Sequence, residues 1–163
     1  MTARDMGFLA AIAALLLDQA SKLLMLYAFG FVDMLPSQHI GVLPFLDLVM
    51  MWNSGVSFSF LAGSGALGTL FLCLFTLAVV GGLGWWLWRV QTRVLAVGLG
   101  LVIGGALGNL MDRLVHGGVA DFFDLHAFGL NFFACNVADI CITLGVIGVL
   151  YDTMLEQRPG RSS

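Results

Sequence analysis

The chain has 163 residues, of which 60% are hydrophobic and only 10% charged; its formal net charge is −3 and its mean hydropathy +0.97. A soluble domain carries about 25% charged residues, so this composition cannot cover a water-facing surface, and the solvent of most of the chain is lipid. Seven basic residues, none in a run, argue against a nucleic-acid partner.

Four apolar runs, near 6–28, 66–88, 94–112 and 137–155, suit helices that cross a bilayer, which takes about 17–25 residues. Lipid offers no partners to backbone N–H and C=O groups, so each is predicted helical. The first run is interrupted by Asp18 and no clear small-x-small cleavage site follows; it reads as a retained span, not a leader. The stretch 29–65 contains no Lys or Arg and is rich in β-branched and aromatic residues from His39 onward. Asn53-Ser54-Gly55 suits a tight turn between two strands, which predicts a small extracytoplasmic sheet over 42–60. So apolar a sheet should lie on the bilayer or face a lipidic ligand. Gly100, Gly104 and Gly108 recur every four residues on the third span, a smooth strip for close helix contact. Cys73, Cys135 and Cys141 form no CxxC pair and read as small packing residues. His116, His126 and Asp121 lack any zinc-site spacing, so no metal or cofactor is expected. The whole chain, 1–163, is expected to form one integral membrane domain.

Arg4, Arg89, Arg93, Arg158 and Arg161 flank the spans on one side, and only Arg113 lies on the other. The positive-inside rule then places both termini in the cytoplasm. Trp85, Trp86 and Trp88 fall in the cytoplasmic interfacial belt.

With that orientation the polar residues of separate spans reach one depth, near the outer leaflet. Asp18 and Lys22 lie in the outer half of the first span. Asn109, Asp112 and Arg113 close the third, and Asn136 and Asp139 open the fourth, with Asp121 and Asp124 in the connection. Spacings of three and four residues put each set on one helix face. Asp18 and Lys22 read as a local ion pair, and Asp112 with Arg113 as a structural charge cluster. Asp121 and Asp139 have no adjacent cation and sit among apolar residues, which raise a carboxyl pKa. Two such carboxyls sharing a site do not both ionise easily, which suits one as base and the other as acid. Spacing leaves Asp124 as a rival to Asp121. On residues alone, a membrane aspartyl hydrolase, a proton- or ion-coupled transporter and a purely structural membrane protein all remain open.

Five segments, in order, resemble the bacterial lipoprotein signal peptidases, signal peptidase II. Asp18-Gln19-Ala20-Ser21-Lys22 is similar to the family's D-x-x-S-K, and Asn53-Ser54-Gly55-Val56-Ser57-Phe58 to N-x-G-x-A/S-F. Gly104 through Arg113 resembles G-G-A-x-G-N-x-x-D-R. Val119-Ala120-Asp121-Phe122 resembles V-x-D-F, and Asn136-Val137-Ala138-Asp139 resembles N-x-A-D. The resemblance implies an all-α four-transmembrane-helix bundle with a small extracytoplasmic β-cradle. It implies an aspartic endopeptidase of the bacterial cytoplasmic (inner) membrane that cuts prolipoproteins just before a diacylglyceryl-modified cysteine. Asp121 and Asp139 would be its catalytic dyad, and Asn53, Gly55, Asn109, Asp112, Arg113 and Asn136 polar supports of the site. Asp18 and Lys22 would stabilise the outer end of the first span. The expected partners are lipid-modified prolipoproteins and membrane lipid, with the protein acting as a monomer and without a cofactor. Where the family has Phe before the N-x-A-D asparagine, this chain has Cys135, a change expected to alter pocket shape more than chemistry. The G-x-G-D motif of other intramembrane aspartyl proteases is absent.

Overall fold

The structure is a computed structural model that describes residues 1–35, 37–55, 65–127 and 130–156. Residues 56–60 of the predicted sheet, with Ser57 and Phe58, lie outside the described residues, as do Arg158, Arg161 and the side chain of Phe132.

Among the described residues four helices are long and apolar enough to cross a membrane. Helix α1, Ala3–Leu23, opens on a reciprocal cap: the Asp5 amide donates to Thr2 Oγ1 (3.2 Å) and the Thr2 amide to Asp5 Oδ2 (2.8 Å). It continues as a π-turn, Leu24–Ala28, and ends at Gly30, whose φ of 72° lies in the left-handed region. Helices α2 (Gly65–Leu87), α3 (Arg93–His116) and α4 (Val137–Glu156) follow. Helix α3 runs a turn past the predicted limit at 112, because apolarity marks the bilayer whereas the helix stops at Gly117, with φ 77°.

The centre of the bundle is α3, with α1 and α4 packed on its two flanks. Glycine makes this possible. A Cβ on Gly100 or Gly104 would collide with the Gly7 or Ala11 carbonyl of α1, and one on Gly108 with the Asp18 carboxylate. A second strip, unremarked in the sequence, faces α4: a Cβ on Gly98 would lie 2.8 Å from the Gly145 carbonyl oxygen, and one on Gly105 2.6 Å from that of Ala138. These approaches bring polar side chains from three helices within hydrogen-bond reach of one another.

The strands correct the predicted sheet. The four described strands form one antiparallel sheet in the order β1-β2-β3-β4: Ile40–Leu43, Leu46–Asn53, Val119–Ala127 and Leu130–Cys135. The β1–β2 turn falls at Pro44-Phe45, not at Asn53-Ser54-Gly55, which instead follows the end of β2. Half of the sheet comes from the connection between α3 and α4. Strand β2 pairs with β3 across that distance, with Met51 opposite Asp121 and Asn53 opposite Val119. Beneath the sheet, Ala120 and Phe122 pack with Met25, Leu26, Phe31 and Met50. Asp121 stands between Ala120 and Phe122, so strand alternation turns its side chain to the other face, where Asn53 and Asn136 reach it.

Candidate active site

Lys22 organises the base of the site. Its Nζ lies 2.7 Å from Asp18 Oδ2, 2.8 Å from Asp112 Oδ2 and 3.0 Å from Asn109 Oδ1. The predicted Asp18–Lys22 pair is therefore part of a three-way contact. The expected Asp112–Arg113 cluster is not formed: adjacent helical residues point apart, Asp112 pairs with Lys22, and Arg113 Nη1 donates to the Asn109 carbonyl at 3.3 Å. Gln19, to which sequence reasoning assigned no role, donates to Asp18 Oδ2 (3.1 Å), Asp112 Oδ1 (3.3 Å) and the Gly108 carbonyl (3.2 Å). The only signal for it was an amide next to Asp18 in an apolar span.

These carboxylates also hold the elements that carry the site. Asp18 Oδ1 accepts from the Ala138 amide in the first turn of α4 (2.9 Å), and Asp112 Oδ2 from the Ala120 amide of β3 (3.1 Å). A helix N-terminus has unpaired N–H groups and a positive dipole end, so Asp18 suits that position electrostatically.

Asn53, Asn109 and Asn136 surround Asp121 and Asp139, and the partners of each amide oxygen fix its orientation. Asn109 Oδ1 accepts from Lys22 and from Asn136 Nδ2 (3.2 Å), so Asn109 Nδ2 is turned to Asp139 Oδ1 at 2.9 Å. Asn136 Oδ1 accepts from the Asp139 amide (3.0 Å), so Asn136 Nδ2 reaches Asp121 Oδ1 at 2.6 Å. Asn53 Oδ1 accepts from the Gly55 amide (2.9 Å), so Asn53 Nδ2 reaches Asp121 Oδ2 at 3.0 Å. Asn53 stands two residues from Met51, the cross-strand partner of Asp121, a diagonal that one side chain can span.

Asn136 and Asp139 also cap α4 reciprocally, since the Asn136 amide donates to Asp139 Oδ2 at 3.3 Å. Asn136 thus touches both carboxyls, one through its side chain and one through its backbone. Among the described residues neither carboxyl has an ion-pair partner, in contrast to Asp18 and Asp112. Asp121 is 1% exposed. Burial raises its pKa from 3.8 to about 6; the Asn53 hydrogen bond opposes this and the charge of Asp139 adds to it. Asp139 is half-buried and adjoins a cavity of about 220 Å³ lined by Leu125, Phe133, Cys135 and Leu144 among others. The Cys135 thiol is pushed up to about 11 by burial and by the charges of Asp139 and Asp121, so it stays protonated and forms an inert wall.

The rival carboxyl lies elsewhere. Asp124 is three residues along β3 from Asp121 and lines a separate cavity of about 650 Å³ with Met50, Met51, Trp52 and His39. His126 Nε2 lies 3.2 Å from Asp47 Oδ1, and His116 packs on Trp52 with ring centroids 5.0 Å apart. Among the described residues no three His, Cys, Asp or Glu side chains are grouped to hold a metal. Arg113 lies behind Gly55, a residue with φ 82°; a Cβ there would stand 3.6 Å from Arg113 Nη2. Its buried Nε has no hydrogen-bond partner among the described residues.

Fold and site together define a multi-pass helical membrane protein with a buried polar network at the junction of bundle and sheet. The family model for signal peptidase (SPase) II matches residues 10–155, and the chain belongs to that family of membrane proteases. It is 42% identical over 159 residues to a lipoprotein signal peptidase of Rhodopseudomonas palustris, covering 95% of each chain. It is 46% identical over 154 residues to one of Methylorubrum extorquens, covering 94% of this chain and 88% of that one. Two solved structures of a bacterial membrane enzyme, obtained by the in meso method at 2.3 and 1.9 Å resolution, share the fold. Their TM-scores are 0.77 and 0.76, with identities of 26% and 28%; they cover 96% and 93% of this chain, and 94% of each solved chain is covered.

Proposed function

We propose that this protein removes the signal peptide from diacylglyceryl-modified prolipoproteins, cleaving just before the lipidated cysteine, with Asp121 and Asp139 as an aspartyl dyad. The observation that carries the reading is the contact of Asn136 with both carboxyls, neither of which is paired with a cation among the described residues. The site lies at the outer face of the cytoplasmic membrane with both termini inside, since Arg4, Arg89 and Arg93 sit at the opposite ends of the helices.

The substrate enters sideways from the bilayer, its acyl chains staying in lipid or along the apolar sheet. Asp139 takes a proton from water, and the resulting hydroxide attacks the scissile carbonyl carbon. Asp121, whose raised pKa suits it to hold a proton, hydrogen-bonds the carbonyl oxygen. The tetrahedral intermediate collapses with proton transfer to the leaving amine. Asn53, Asn109 and Asn136 keep the carboxyls in place, Lys22 holds Asn109, and Arg113 supports the wall behind Gly55.

The test is cleavage of a lipid-modified prolipoprotein by the purified protein in mixed micelles, followed by mass spectrometry. The product should begin at the modified cysteine, and Asp139→Asn should abolish its formation while the protein remains folded in the membrane. Cleavage by the Asp139→Asn protein would refute the dyad.

A further inference from the structure

A second apolar groove runs along the bundle from the Arg93 end as far as Leu144, a residue it shares with the cavity beside Asp139. Its cavity of about 300 Å³ is bounded by Met6 of α1, Val94, Val97 and Leu101 of α3, and Leu144 and Gly148 of α4, with Arg93 at its mouth. The groove has a structural origin. At the sheet end α1 and α4 are tied together by the bond from Ala138 N–H to Asp18 Oδ1, 2.9 Å long. Toward Arg93 a groove opens over α3, lined by residues of α1, α3 and α4, and Gly148 keeps its floor low: the nearest atom to a Cβ there would be Gly98 Cα, at 3.6 Å.

Arg4, Arg89 and Arg93 gather at this end. Arg4 lies over the Trp88 ring at 4.2 Å and Arg89 over Trp85 at 4.0 Å. Arg93 is exposed and has no ion-pair partner among the described residues. Of the described acidic side chains at this end, Asp5 is engaged in the α1 cap and the buried Asp152 in a 2.8 Å bond from Thr92 Oγ1. The occupant that fits is therefore an apolar chain carrying a negative group at the membrane surface.

We propose that this groove binds one acyl chain of an anionic phospholipid whose phosphate rests on Arg93. Charge separates this ligand from a signal peptide, whose N-terminal region is positively charged and would be repelled there.

Native mass spectrometry of the full chain in detergent, titrated with phosphatidylglycerol or phosphatidylcholine of matched chains, tests the site. One phosphatidylglycerol should be retained in preference to phosphatidylcholine. Arg93→Gln, at an exposed position, should weaken phosphatidylglycerol binding about five-fold, the contribution of one arginine near a bilayer surface, and leave phosphatidylcholine unchanged. Gly148→Leu should fill the groove and remove the retained lipid. Equal retention of the two lipids by the unaltered protein, or unchanged phosphatidylglycerol binding in Arg93→Gln, would overturn the proposal. So would displacement of the lipid by a signal peptide with a basic N-terminus, which would assign the groove to substrate.

Discussion

Replacing Asp121 by Asn should separate activity from stability. The folded protein holds this proton more tightly than the unfolded chain, because burial raises the pKa from 3.8 to about 6. The contribution of that proton to stability is complete below the unfolded value and is lost as pH rises through about 6. At pH 7.5 the buried carboxylate costs about 3 kcal/mol relative to a permanently neutral group, from roughly two units at 1.36 kcal/mol each. Asparagine escapes that cost. Its oxygen can accept from Asn53 or Asn136, but its NH2 then faces the other amide, at a penalty of about 1–2 kcal/mol. The net gain is about 1–2 kcal/mol, a rise of a few degrees in midpoint for a chain of this size. At pH 4.5 the folded protein's Asp121 is protonated while the unfolded chain is still largely ionised, so only about 1 kcal/mol of that cost survives, and the amide clash leaves the Asp121→Asn protein level with the unaltered one or slightly less stable. Thermal unfolding in detergent can follow this at both pH values through the intrinsic fluorescence of the four tryptophans. Prolipoprotein cleavage should be lost at every pH. Retained cleavage, or a stability difference of the same sign and size at both pH values, would refute the reasoning.

Other substitutions probe the same network. Asp124→Asn should keep substantial cleavage activity, because Asp124 lines a different cavity; inactivity of that protein together with an active Asp121→Asn protein would reverse the assignment. Lys22→Met leaves Asp18 and Asp112 buried without their shared cation and should lower stability by about 3–5 kcal/mol, read as a fall in the melting midpoint. A Lys22→Met, Asp18→Asn double variant should recover part of that loss. Asn53→Ala removes a donor that favours the charged form of Asp121, so the raised pKa should rise further. If protonated Asp121 is required, the inflection in kcat/KM near pH 6, above which activity falls, should then move to higher pH; a downward move would contradict that role.

The polar network tests what spacing can reveal. Asp18, Lys22, Asn109, Asn136 and Asp139 were legible as helix faces that reach one depth, because helical periodicity and bilayer length constrain them together. The partner of Asp112 was not. Sequence proximity favoured Arg113, whereas the close approach of α1 at Gly108 brought Lys22 to it. The turn differs for a similar reason. Asn53 and Gly55 have turn chemistry, but the Asn53 side chain binds the Gly55 amide beyond the end of β2 while its NH2 serves Asp121.

By itself the sequence determined the membrane solvent, the four spans and the residues carrying buried charge, since hydropathy and helix length are local properties that a bilayer reads directly. Its motif order pointed to the family. Only the tertiary structure decided that β2 pairs with β3, that Asp121 rather than Asp124 meets Asn136, and that Asn109 turns its amide to Asp139. Those outcomes depend on strand register and on which donor holds each amide oxygen, and such contacts join residues up to 120 positions apart, as Asp18 and Ala138 are.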